Sequence, residues 1–171
     1  KQKDKGSVRI LFLDSNLNVT NDVTIGDGYA ASPTLEDTVA KKDYFGSAIC
    51  GLDDLDGDGV EDIAIGAALQ DDNGLKEFGA VFICFMNSDG TVKNHTRISS
   101  VDLAVADVSK KDKFGTAVAC PGDIDGDGVV DLVVGAPGDD VIGGGERGAV
   151  YIFFMNADAV SYTHLTLPTT L

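Results

Sequence analysis

The feature that most limits how this chain can fold is an internal repeat of constant spacing. Lys42-Asp43-Tyr44-Phe45-Gly46 returns as Lys111-Asp112-Lys113-Phe114-Gly115, 69 residues later. The same step carries Asp54-Leu55-Asp56-Gly57-Asp58-Gly59-Val60 onto Asp123-Ile124-Asp125-Gly126-Asp127-Gly128-Val129. It also carries Gly66-Ala67 onto Gly135-Ala136, Gly79-Ala80-Val81 onto Gly148-Ala149-Val150, and Phe85-Met86-Asn87 onto Phe154-Met155-Asn156. A third, partial copy opens the chain. Gly6-Ser7-Val8-Arg9-Ile10 matches Gly79-Ala80-Val81-Phe82-Ile83 at a step of 73, and Ile25 matches Ile98. One such unit cannot bury its own apolar face, so neighbouring units must stack.

Each unit reads as β. Phe45 to Leu52 is a short apolar strand, Asp62 to Ala67 a second, Gly79 to Asn87 a nearly all-apolar third, and Thr91 to Ser99 a polar fourth. The second unit repeats the second strand at Asp131 to Ala136. Asp89-Gly90 joins third to fourth, a strong hairpin signal. No 3.6-residue apolar stripe and no helix caps appear. A continuous apolar third strand predicts burial on both faces, and a polar fourth predicts an outer edge. Four antiparallel strands repeated at fixed spacing describe a propeller blade. The expected fold class is therefore all-β, with about two and a half blades of an incomplete propeller. Residues 1–26 end one blade, 42–100 make a full blade, and 111–160 make a second.

Composition narrows the function. The net charge is −15 and the pI near 4.2, which excludes an ordinary nucleic-acid binder, since that needs a basic face to replace phosphate counterions. The chain is 43% hydrophobic, enough apolar surface to build a core. Its longest apolar run, Ala149 to Met155, is far short of a membrane span. Residues 1–6 are charged and are no signal peptide. Only four acids are Glu (Glu36, Glu61, Glu77, Glu146). An Asp excess with many glycines points to turns and oxygen-ligand sites.

Those sites lie between the first two strands. The pattern is Asp54-x-Asp56-x-Asp58-Gly59-Val60-x-Asp62, repeated as Asp123-x-Asp125-x-Asp127-Gly128-Val129-x-Asp131. Carboxylates at loop positions 1, 3 and 5 converge and repel one another unless a cation sits among them. Hard oxygens in this number suit Ca²⁺, which takes six to eight. The Val60 and Val129 carbonyls and the Asp62 and Asp131 carboxylates would complete two shells. An EF-hand starts alike but needs a Glu at position 12 and flanking helices. Position 12 is Ile65 or Val134, and the flanks are β. Mg²⁺ prefers to keep its waters. The bland alternative is a pair of solvated Asp-Gly turns.

Phe-Gly at the head of each unit, the Asp loop, Gly66-Ala67-Ala68 or Gly135-Ala136-Pro137, and Gly-Ala-Val before an aromatic strand resemble the FG-GAP repeat. That repeat occurs in integrin α-subunit β-propellers and in many bacterial and protist surface proteins. The resemblance covers about residues 6–158. It implies Ca²⁺ held structurally at one face, through Asp54, Asp56, Asp58, Val60 and Asp62 in one blade. In the next blade the ligands would be Asp123, Asp125, Asp127, Val129 and Asp131. It further implies an extracellular or cell-surface protein acting in adhesion or recognition, whose protein or glycan ligand binds the other face. The alternative is an accessory propeller of a secreted hydrolase resembling glycosylphosphatidylinositol-specific phospholipase D. The other partners would be the remaining blades of a parent chain, without which this segment is not expected to fold as a well-behaved monomer.

Other features say less. Asn18-Val19-Thr20 and Asn94-His95-Thr96 are glycosylation sequons on expected outer strands. Three cysteines are too few for a disulfide framework, and at the 69-residue step Cys50 meets Ala119 while Cys120 meets Gly51. Cys50, Cys84 and Cys120 therefore read as small buried apolar residues. Neither His95 nor His164 makes a convincing base or metal ligand. Hydrolase and nucleotide motifs are missing, and Gly143-Gly144-Gly145 precedes a strand rather than a helix. No enzyme activity is expected of this segment. Residues 161–171 shift abruptly to Thr and Leu, with Pro168 poorly placed for a central strand. They read as a non-native tail, the alternative being a divergent edge strand.

Overall fold

The computed structural model describes residues 5–32, 35, 39–40, 42–71, 77–99, 110–140 and 148–156, and the backbone of 163–168. Residues 1–4, the Gly143–Gly145 loop and the rest of the 161–171 tail lie outside the described residues. Three antiparallel sheets follow one another. β1 (Val8–Leu13) pairs with β2 (Val19–Ile25). β3 (Phe45–Gly51), β4 (Ile63–Ala67), β5 (Ala80–Met86) and β6 (Val92–Ser99) form a four-stranded meander in chain order. β7 (Ala117–Gly122), β8 (Asp131–Ala136), β9 (Ala149–Phe154) and β10 (Thr163–Pro168) form it again. These are two whole β-propeller blades and the outer half of a third.

The middle blade is covered on both faces, as its apolar third strand requires. Along β5, Val81 and Ile83 point into a core shared with β8 and β9, against Leu132, Val134, Tyr151 and Phe153. The alternate residues Ala80, Phe82, Cys84 and Met86 point the other way, into a core with Val8, Ile10 and Ile25 of the first sheet. The period of two thus divides one strand between two inter-blade cores. Phe45 meets Phe82 edge-on at 5.5 Å, and their repeat partners Phe114 and Tyr151 meet at 5.4 Å. Edge-to-face pairs add about 0.5–1.5 kcal/mol beyond the burial of their area.

The Phe-Gly and Gly-Ala motifs have a shared cause. Gly79 bridges Phe114 in parallel, and Gly6 bridges Phe45 in the same way. These are the joints between successive blades. A Cβ on Gly79 would collide with the Phe114 backbone, and its φ of +84° lies in the left-handed region. Only glycine permits both the approach and the conformation.

One expectation needs revision. Cys50 and Cys120 are not separate apolar fillers. They form a disulfide between β3 and β7, the first strands of neighbouring blades, with a Cα–Cα distance of 5.9 Å. The one-residue stagger in the repeat does not keep them apart, because the two strands meet one residue out of repeat register. Cys84 alone behaves as expected: it is buried and free, and burial pushes its thiol up to about 12. The backbone of 163–168 pairs with β9 along its length, from Thr163 opposite Phe154 to Pro168 opposite Ala149. That segment occupies the place of the fourth strand, and Pro168 closes an outer edge, where a missing N–H is tolerated.

Candidate metal centre

Each aspartate loop joins the first two strands of its blade and is shaped by its own carboxylates. Asp54 Oδ1 accepts from Asp58 N at 2.9 Å and Oδ2 from Gly59 N at 2.7 Å. Asp58 Oδ1 accepts from Val60 N at 2.9 Å. In the second loop Asp123 accepts from Gly126 N at 2.6 Å and Gly128 N at 2.8 Å, and Asp127 accepts from Val129 N at 2.9 Å. The glycines let the backbone fold inward: φ is +77° at Gly57, +87° at Gly59, +84° at Gly126 and +93° at Gly128. Amide hydrogen bonds, foremost that from Gly128, hold the Asp123 carboxyl below its usual range. Desolvation raises Asp125, and the charges of Asp127, Asp131 and Asp123 push the same way.

In each blade the structure brings three of the expected carboxylates together. Oxygens of Asp54, Asp56 and Asp58 lie within 4.8 Å of one another, as do those of Asp123, Asp125 and Asp127. All six side chains are exposed at the loop mouths. Asp62 and Asp131 stand apart from these trios and are fully buried. Asp62 Oδ2 accepts from Leu55 N at 3.0 Å and Oδ1 from Met86 N at 2.8 Å. Asp131 repeats this with Ile124 N at 2.7 Å and Met155 N at 3.0 Å. Each therefore clasps the loop to the end of the third strand. Desolvation raises the Asp62 pKa.

One participant was not foreseen from the sequence. Lys93 Nζ lies 2.5 Å from Asp56 Oδ2 and also contacts Asp58 Oδ2. Asp58 is held below its ordinary value chiefly by this lysine, and both aspartates push the lysine up. No sequence pattern marks this contact, because Lys93 lies 35 residues beyond Asp58 on another strand.

The histidines and sequons are placed as follows. His95 is half-buried with its ring 5.8 Å from that of Phe82, and burial lowers its pKa. The side chain of His164 lies outside the described residues. Asn94 is exposed on outer strand β6. Asn18 is exposed in the β1–β2 connection, where its amide donates to Asp14 at 3.1 Å.

Fold and loops together define a repeat protein of stacked β-propeller blades, each full blade bearing an acidic hairpin. Comparison with known proteins makes the class specific. The FG-GAP repeat family matches residues 45–84 and 114–153. The chain is 37% identical to integrin alpha-4 of Xenopus laevis over 111 residues, which is 64% of this chain and 10% of that protein. It is 36% identical to integrin alpha-PS2 of Drosophila melanogaster over 115 residues, 65% of this chain and 8% of that one. Human integrin alpha-11 matches at 36% over 110 residues, 64% of this chain and 8% of the relative. The chain thus carries two FG-GAP repeats and is similar to integrin alpha subunits, and it spans about a tenth of the length of the curated relatives it matches. Among the described residues no helix is long and apolar enough to cross a membrane.

Proposed function

We propose that this chain is a calcium-stabilised β-propeller segment of an extracellular or cell-surface protein acting in adhesion or protein recognition. The observation that carries the reading is the convergence of three carboxylates in the same hairpin of two successive blades. A tethered ammonium on one of these trios supports a cation position there. All-oxygen donors of this density suit Ca²⁺ better than softer metals. The ligands would be Asp54, Asp56, Asp58, the Val60 carbonyl and Asp62, and in the second blade Asp123, Asp125, Asp127, the Val129 carbonyl and Asp131. Each carboxylate oxygen of Asp62 and Asp131 accepts one hydrogen bond from a backbone amide, which leaves a lone pair on each oxygen. The ion's role is linkage: binding the native loop alone, it stabilises by about 2.7 kcal/mol at one hundred times Kd.

An extracellular setting is supported by the inter-blade disulfide, since such bonds persist in oxidising compartments. It also suits weak oxygen sites, which fill where Ca²⁺ is plentiful. The likeness to integrin α subunits supports a recognition role, with a protein or glycan as partner. The test is a melting curve of the complete propeller in calcium and in chelator. Calcium should raise the melting temperature, magnesium should do so less, and Asp125→Ala should remove most of the second loop's share. Identical melting in calcium and chelator would refute the reading.

A further inference from the structure

The two loops match in sequence but not in surroundings. In the first, Lys93 reaches down from β6 to Asp56 and Asp58. A bulge aims it there. Phe85 pairs with Asn94 and Met86 with Val92, so Lys93 is the extra residue between them. A bulge turns the side chain out of strand alternation and bends the strand locally. The partial blade has the same bulge, with Phe12 opposite Asn21 and Leu13 opposite Val19. There the extra residue is Thr20, whose hydroxyl donates to the Phe12 carbonyl at 3.1 Å. The bulge therefore belongs to the fold, and the ammonium belongs to this blade. At the 69-residue step Lys93 corresponds to Tyr162, which lies outside the described residues. Among the described residues, no Lys or Arg pairs with Asp123, Asp125 or Asp127.

We infer that Lys93 is an internal counter-cation of the first loop, holding Asp56 and Asp58 until a divalent ion displaces it, so that the second loop fills with calcium before the first. This rests on the calcium reading above. A divalent ion at the first trio must break two charge-assisted contacts and then sit near a displaced positive charge. Among the described residues, the second trio presents only its anions. The ammonium thus weakens the first site in proportion to what it contributes to the metal-free loop, and makes that blade the one that responds to the upper range of calcium concentration.

The test is calorimetric titration of CaCl₂ into the chelator-stripped complete propeller in two backgrounds. Asp125→Ala leaves the first loop for study, and Asp56→Ala leaves the second. With Asp125→Ala, adding Lys93→Met should tighten calcium binding about ten-fold, the scale expected from removing a unit charge near a divalent ion. Lys93→Arg should keep the original affinity. With Asp56→Ala, Lys93→Met should change nothing. In chelator, Lys93→Met alone should lower the melting temperature by about 2–4 °C, because the trio loses its cation. Unchanged or weaker binding at the first loop in Lys93→Met would overturn the inference while the second loop still binds. Chelator melting that ignores Lys93→Met would also overturn it. No calcium uptake in either background would remove the calcium reading itself.

Discussion

Cys50 and Cys120 are one residue out of step in the repeat, yet their sulfurs are bonded across the first strands of adjacent blades. The bond closes a loop with a sequence separation of 70 residues. In the chain-entropy view such a loop contributes about 4 kcal/mol by restricting the unfolded chain. Replacing both cysteines by serine should therefore lower stability by about 2–4 kcal/mol in urea unfolding. Reductant should destabilise the original protein and leave the double variant unaffected. A free-thiol assay on the native, unreduced protein that finds three thiols would refute the bond.

The buried aspartates give a second expectation. Asp131 satisfies the amides of Ile124 and Met155, both in part-buried or buried settings. Asp131→Ala leaves two donors without a partner, at about 1–3 kcal/mol each. The loss should persist in chelator, which separates this clasp from any metal. If the variant matches the original in chelator, the clasp contributes nothing.

Glycine at the blade joint makes a third. Gly57 has positive φ but nothing within 4 Å of a built Cβ, whereas Gly79 has positive φ and the Phe114 backbone against it. Gly57→Ala should cost about 1–2 kcal/mol from backbone strain alone. Gly79→Ala should cost clearly more, because blades must separate to admit the methyl. Equal losses in denaturant titrations would mean that the joint is not close-packed.

Asp43 gives a dependence on pH. Its carboxylate is buried and accepts from Ala40 N at 2.6 Å, while desolvation, aided by the Asp71 charge, raises its pKa. A raised carboxylate holds its proton longer in the folded state than in the unfolded one. Stability from this group is then greatest below the ordinary carboxylate value and falls as pH rises through the raised folded value. Asp43→Asn keeps the acceptor and removes the charge. It should flatten that part of the stability profile, and an unchanged slope would refute the assignment.

How much of this was legible in the chain depends on the range of the interaction. The 69-residue step, the third strand apolar without a break, the Asp89-Gly90 turn and the aspartate spacing are local patterns. Strand period, turn geometry and carboxylate convergence follow from a few consecutive residues, so blades and trios could be read directly. The burial of β5 on both faces was legible for the same reason. The fourth-strand pairing of 163–168 was obscured, because its composition leaves the repeat and a β edge is specified mainly by the backbone of its neighbour.

The sequence by itself determined the repeating unit and the chemistry of its loops, since both are written within spans shorter than a blade. Only the tertiary structure decided which residues meet between strands and blades. It joined Cys50 to Cys120, hydrogen-bonded Asp62 and Asp131 to the end of the third strand of each blade, and set Lys93 on one trio. The stagger between first strands of adjacent blades and a bulge in β6 set those meetings, and neither leaves a periodic trace in the order of amino acids.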